Sequence, residues 1–125
     1  MARILIIEDE AALQDSMTGY LKAEKFEVSS ALDGEKGLLM ARSDNPDLIL
    51  LDIILPKKNG FEVLEELKKD DKTKKIPVIL LTNLESPEDI DKAFAKGAST
   101  YLVKSDYKLE DIVEKIKKTL KMNEN

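Results

Sequence analysis

The chain contains no cysteine and no histidine. These absences remove disulfides, thiolate nucleophiles, imidazole bases, haem ligands and ordinary zinc sites. Any chemistry must come from carboxylates, hydroxyls, amines and backbone groups, a ligand set suited to a hard cation such as Mg2+. No apolar stretch is long enough to cross a bilayer, and the opening apolar run Ile4-Leu5-Ile6-Ile7 meets carboxylates at once, unlike a signal peptide. A cytoplasmic chain without membrane insertion is expected. Basic charge is in the minority, with 20 Lys and Arg against 25 Asp and Glu, a net charge of -5. That balance argues against direct binding of nucleic acid, whose phosphates attract basic surfaces.

What is present is enough for a core. Hydrophobic residues make up 42% and charged residues 36% of 125 positions, the profile of one compact domain over residues 1–125 with an ionised surface. Two periodicities alternate along it. The runs within Arg3–Glu8, Asp47–Asp52 and Pro77–Thr82 are continuously apolar, as strands covered on both faces require. Phe26–Ala31 and Thr100–Lys104 read as shorter strands nearer the sheet edges.

Helical stripes lie between them. Leu13, Met17, Tyr20 and Leu21 form one, interrupted by Gly19; Leu109, Ile112, Val113, Ile116 and Leu120 form another, with acids in its first turn and lysines near its last. Ser86-Pro87-Glu88-Asp89 has the form of a helix start, and Gly97 closes that helix about three turns later. Gly34–Ser43 and Gly60–Lys69 supply two more helices. The lysine-rich segment 68–75, with its mixed charges, reads as a solvated helix end and loop. Five strands and five helices in alternation predict an α/β fold, a doubly wound parallel sheet with right-handed crossovers and helices on two faces.

In such a sheet, ligands gather beyond the carboxyl ends of the strands. The residues predicted there are Glu8 and Asp9 after the first strand, Asp52 after the third, Thr82 after the fourth and Lys104 after the fifth. Asp52 stands out because it lies between Leu50-Leu51 and Ile53-Ile54-Leu55, where a lone carboxylate is costly to desolvate. Taken singly, Asp52 reads as the cap of the following turn, and Asp9 or Glu10 as the cap of the next helix. If instead Glu8, Asp9 and Asp52 converge, their repulsion calls for a divalent cation, with Lys104 offsetting charge from the other side. A carboxylate beside Mg2+, a hydroxyl and an ammonium is suited to accepting a phosphoryl group.

These residues resemble the receiver domains of two-component response regulators, whose single-domain members are the CheY-like proteins. The resemblance spans essentially the whole chain. It rests on the segment ending Ile7-Glu8-Asp9, on Leu50-Leu51-Asp52 through Asn59-Gly60, on Leu80-Leu81-Thr82-Asn83, and on Gly97 through Val103-Lys104. It implies a flavodoxin-like sheet in the order 2-1-3-4-5, an order that the spacing itself does not supply. It implies that Asp52 is the phosphoacceptor, that Glu8, Asp9, Asp52 and the backbone carbonyl of Ile54 hold Mg2+, that Lys104 contacts the phosphoryl group, and that Thr82 and Tyr101 form a switch. Tyr101 also has a plain reading, as an edge-strand aromatic packed on the fifth helix.

By the same resemblance the protein is not an enzyme in the ordinary sense. It is a switch that takes a phosphoryl group from a phosphohistidine on a sensor histidine kinase or histidine phosphotransfer protein, and then changes its binding to a downstream protein target through the face of the fourth helix, fifth strand and fifth helix. Family members often place polar side chains two residues beyond the aspartate and the threonine. Ile54 and Leu84 are apolar, so the acyl phosphate is expected to be long-lived, with slow self-dephosphorylation.

Two positions depart from the family pattern. Ser105 stands where a proline with a cis bond is usual, and a cis bond before serine costs roughly 3 kcal/mol. Asn83 replaces a smaller residue and either narrows the approach to the site or adds a polar contact. Only a few polar residues follow the fifth helix, so a stand-alone regulator is expected, and a homodimer formed through the fourth and fifth helices on phosphorylation is compatible with the composition. The competing readings are a receiver-fold adaptor indifferent to phosphorylation and a phosphatase of the haloacid dehalogenase kind. The latter carries a second acid where this chain has Ile54.

Overall fold

A computed structural model describes residues 2–82, 87–103 and 108–123. Its elements run β1 (Arg3–Ile7), α1 (Ala11–Ala23), β2 (Glu27–Ala31), α2 (Gly34–Asp44), β3 (Leu48–Asp52), α3 (Gly60–Lys69), β4 (Val78–Thr82), α4 (Pro87–Ala95), β5 (Thr100–Val103) and α5 (Leu109–Asn123). The five strands form one parallel sheet in the order β2-β1-β3-β4-β5. The expected alternation and strand order are therefore both present, with β2 and β5 at the edges.

The continuous apolar runs follow from a core on each face of the sheet. Ile4, Ile6, Leu48, Leu50, Ile79 and Leu81 turn toward Met17 and Leu21 of α1 and Ile112, Val113 and Ile116 of α5. The alternate residues Leu5, Ile7, Ile49, Leu51, Val78 and Leu80 turn toward Leu38 of α2, Val63, Leu64 and Leu67 of α3, and Ala93 of α4. Side chains alternate along a strand, so a strand buried on both sides must be apolar at every position. The edge strands, covered less completely, retain polar and half-exposed residues.

Helix ends are marked by local chemistry. Asp33 caps α2 by accepting from the Lys36 amide at 2.8 Å, and Asn59 caps α3 by accepting from the Glu62 amide at 3.0 Å. After α4, Gly97 has φ +107, its amide donates to the Phe94 carbonyl and the Ala98 amide to the Ala93 carbonyl. This is the Schellman closure that Gly97 was expected to make. Ser86, the expected cap of α4, lies outside the described residues, although α4 does begin at Pro87.

The segment 68–75 is more than a solvated loop. Lys68 is half-buried and its Nζ donates to the carbonyls of Ile76 (2.7 Å) and Lys74 (3.2 Å), while burial holds its ammonium below the ordinary lysine range. The Thr73 hydroxyl, fully buried, donates to the Leu67 carbonyl at the end of α3 at 2.7 Å. Mixed charge described the exposed side chains of the segment and missed these two, which turn inward to satisfy backbone carbonyls.

Candidate metal centre

The pairing register brings the acids together. Ile7 lies opposite Leu51 in the adjacent central strands, so the next residues along each chain are Glu8 and Asp52. Each continues the alternation that sends Ile6 and Leu50 toward α1 and α5, and the two therefore share a face of the sheet. The Glu8 amide donates to the Ala31 carbonyl at 3.1 Å, carrying the β1–β2 pairing one residue past the end of β1. Glu8 is fully buried and Asp52 is 3% exposed, whereas Asp9, on the loop leading to α1, is exposed. One carboxylate oxygen from each of the three lies within 4.8 Å of the others.

The capping interpretation of these acids separates into two outcomes. Asp52 Oδ1 does accept from the Ile54 amide at 3.2 Å, so the aspartate organises the turn after β3 as well as belonging to the cluster. Glu10 occupies the N-cap of α1 but makes no side-chain capping bond, and the Glu8 carboxylate accepts from the Glu10 amide at 3.4 Å. The loop between β1 and α1 is thus shaped around the cluster.

A bare group of three carboxylates is electrostatically unfavourable in a site of low polarity, and hard divalent cations prefer such oxygen donors. The donor set fits Mg2+: the buried Glu8 and Asp52 would hold the ion from the protein side, and exposed Asp9 would leave room for the waters that Mg2+ retains. Ile54, 67% exposed, stands at the rim with its amide already engaged by Asp52.

The remaining predicted residues are placed less completely. The Thr82 backbone ends β4, opposite Val103 and one residue beyond the Asp52–Leu81 pair. Lys104, Ser105, Asn83 and Leu84 lie outside the described residues. Tyr101 sits half-buried on edge strand β5, its ring meeting Phe94 of α4 edge-on at 5.9 Å and 78°. Its ring partner is thus on α4. Beside it, β5 and α5 border a groove of about 410 Å3 lined by Tyr101, Asp111, Glu114, Lys115 and Lys118.

α4 is also tied to α3. Lys92 Nζ lies 4.6 Å from the centre of the Phe61 ring, and Lys96 pairs with Glu65 at 3.0 Å. The hydrogen bond and charge of Lys96 hold the Glu65 carboxyl below its usual range.

Two contributors to the site were not singled out in the sequence. Gly60 opens α3 with its α-carbon against the backbone of Asp52 and Ile53, and its amide donates to the Ile53 carbonyl at 2.7 Å. Gln14 is 4% exposed and its amide reaches the backbone beside Glu8. The spacing of Gln14 to Met17 and Leu21, three and seven residues on, was the available signal: it puts an amide on the buried stripe of α1. No helix among the described residues is long and apolar enough to cross a membrane.

Comparison with known proteins adds an independent line. The model of the response regulator receiver domain matches residues 4–117. The chain is 39% identical to the DNA-binding dual master transcriptional regulator RpaA of Synechocystis sp., over 97% of this chain and 50% of that protein. It is 39% identical to Protein PilH of Pseudomonas aeruginosa, over 83% of this chain and 86% of that protein. A crystal structure of a CheY-like receiver domain protein from Methanospirillum hungatei superposes with a TM-score of 0.92 at 33% identity, covering 99% of this chain and 97% of that one. The chain thus spans about half the length of RpaA and most of the length of PilH.

Proposed function

The chain belongs to the response regulator receiver domains, phosphoacceptor modules of two-component signalling, and from that premise we propose that Asp52 accepts a phosphoryl group in a Mg2+-dependent reaction and thereby switches binding to a partner. The observation that carries the reading is the convergence of Glu8, Asp9 and Asp52 carboxylate oxygens within 4.8 Å at the carboxyl end of the two central strands.

A receiver domain implies a cognate histidine kinase. The donor is a phosphohistidine on that kinase or on a phosphotransfer protein, since this chain has no histidine of its own. A carboxylate oxygen of Asp52 attacks phosphorus, the phosphorus–nitrogen bond breaks, and the imidazole leaves with the electron pair. Asp52 Oδ1 already accepts from the Ile54 amide, which restrains the carboxylate before the donor arrives. Glu8, Asp9, Asp52 and the Ile54 carbonyl would hold Mg2+ in this reading, and the ion would offset charge on the phosphoryl oxygens. Lys104 and Thr82 complete the set, Lys104 as a counter-charge and Thr82 as a hydroxyl donor that moves toward the phosphoryl group.

The readout is assigned to the face of α4, β5 and α5. Tyr101 stands there against Phe94, beside the groove between β5 and α5, and displacement of its ring would change what that face presents to a downstream protein or a second copy of the chain. The cytoplasm is the compartment in which such a donor and target would meet.

Incubation with acetyl phosphate and Mg2+, followed by intact mass measurement, tests the acceptor role. One added phosphoryl mass is expected, and chelation of Mg2+ is expected to suppress it. An unmodified chain would favour the adaptor that ignores phosphorylation. The rim makes a further expectation: apolar, exposed Ile54 can neither orient nor activate water, and Leu84 is its counterpart in sequence. Ile54→Asn or Leu84→Glu should shorten the phosphoryl lifetime severalfold, and an unchanged decay rate in both would refute the lifetime role.

A further inference from the structure

Gln14 is the one buried side-chain amide among the described residues, and its surroundings give it a role in the metal centre. Its Nε2 lies 3.1 Å from the Ala31 carbonyl, 3.2 Å from the Ile6 carbonyl and 3.3 Å from the Glu8 carbonyl. Its Oε1 is 3.5 Å from the Thr18 hydroxyl, one turn along α1. Ile6 is the penultimate residue of β1, Ala31 is the final residue of β2, and Glu8 is the first residue beyond β1. The Glu8 backbone is therefore gripped from two sides. Its amide donates to Ala31, its carbonyl accepts from Gln14, and Gln14 also bonds the same Ala31 carbonyl.

We propose that Gln14 is a positioning residue for the metal centre, fixing the peptide groups on either side of Glu8 so that the Glu8 and Asp9 carboxylates leave the chain in the directions that meet Asp52. The inference rests on the reading of the three acids as a Mg2+ site. Gln14 touches no carboxylate in this role and acts only through the backbone. Partners that orient metal ligands from behind commonly change affinity ten- to a hundredfold when removed. A helix side chain is suited to the task because α1 begins without a capping bond from its own N-cap side chain, and Gln14 joins the first turns of that helix to the ends of β1 and β2.

Gln14→Met keeps the shape and removes the donor; Gln14→Asn keeps an amide that is one methylene too short to span the same carbonyls. Thr73→Val is the control, since it deletes a buried hydroxyl bonded to the Leu67 carbonyl before the start of β4, at the opposite end of the sheet. Mg2+ affinity is measured by calorimetric titration of each folded protein, with melting temperatures recorded in the absence of the ion. Gln14→Met should bind Mg2+ about tenfold more weakly, Gln14→Asn should also bind more weakly, and Thr73→Val should stay within twofold of the unaltered chain while melting lower. Should Gln14→Met not fold, Gln14→Asn decides. Equal Mg2+ affinity in the unaltered chain and the folded Gln14 variants overturns the positioning role alone. Absence of Mg2+ binding by the unaltered chain overturns the metal reading together with it.

Discussion

Asp52→Asn should take up no phosphoryl mass from acetyl phosphate and Mg2+, under conditions in which the unaltered chain gains one group per molecule. The amide nitrogen and carbonyl oxygen of asparagine are too weakly nucleophilic to form the acyl phosphate. The variant is informative because its fold should persist. Asn Oδ1 can still accept from the Ile54 amide, the bond that Asp52 Oδ1 makes at 3.2 Å. The change also removes one of the three carboxylate charges of the cluster. A pair of unit charges 4 Å apart interacts with about 1 kcal/mol in water and about 4 kcal/mol near a protein surface. Mg2+ affinity should therefore fall by tenfold or more, and Mg2+ should raise the melting temperature of the variant less than that of the unaltered chain. Uptake of phosphate by Asp52→Asn at the original rate would move the acceptor to another residue.

Gly60→Ala should be the most damaging single methyl in the chain near the site. A Cβ at Gly60 would lie 2.4 Å from the Asp52 carbonyl oxygen and 2.5 Å from the Ile53 α-carbon. Both obstacles are backbone, so no rotamer change relieves them. Either α3 retreats and its amide loses the 2.7 Å bond to the Ile53 carbonyl, or the end of β3 moves and takes Asp52 with it. Overpacking of this kind costs about 1–3 kcal/mol, which for a chain of this size corresponds to roughly 4 °C in melting temperature per kcal/mol. Phosphoryl uptake should fall with it, because the acceptor strand is displaced. Gly19→Ala supplies the opposite sign: nothing lies within 4 Å of the added methyl, and α1 should gain up to about 1 kcal/mol from the better helix former. Equal melting temperatures for Gly60→Ala and the unaltered chain would show that the close approach is relaxed at no cost.

The fold was legible because its signals are local. Four apolar residues in a row at Ile4–Ile7, Leu48–Leu51 and Val78–Leu81 can be strands covered on both sides, and the stripes between them have helical spacing. The convergence of Glu8, Asp9 and Asp52 was legible for a related reason. Once the strands are parallel and adjacent, the residues that follow them must gather at one end of the sheet. The strand order itself came from the likeness to receiver domains, since alternation alone allows other windings.

What escaped the sequence depends on distances between segments far apart in the chain. Gly60 reads as an ordinary helix start until β3 is laid against it. Gln14 is not distinguished from the other polar residues of α1 until the carbonyls of Ile6, Glu8 and Ala31 are in place. Lys68 and Thr73 sit in a charged segment whose composition suggests solvent, yet their donors turn inward to the Ile76 carbonyl before β4 and the Leu67 carbonyl in the last turn of α3. Tyr101 found its aromatic neighbour on α4 because Phe94 is brought to the same edge by the crossover, a proximity that no local pattern encodes.

The most direct measurement replaces Mg2+ with paramagnetic Mn2+ and follows the backbone amide signals of the isotopically labelled chain. Substoichiometric Mn2+ should broaden first the amides of residues 8–10 and 52–54, at the ends of the two central strands, with added Mg2+ restoring them. Broadening centred elsewhere, or spread evenly over the acidic surface, would contradict a shared carboxylate site and with it the assignment of Asp52 as acceptor.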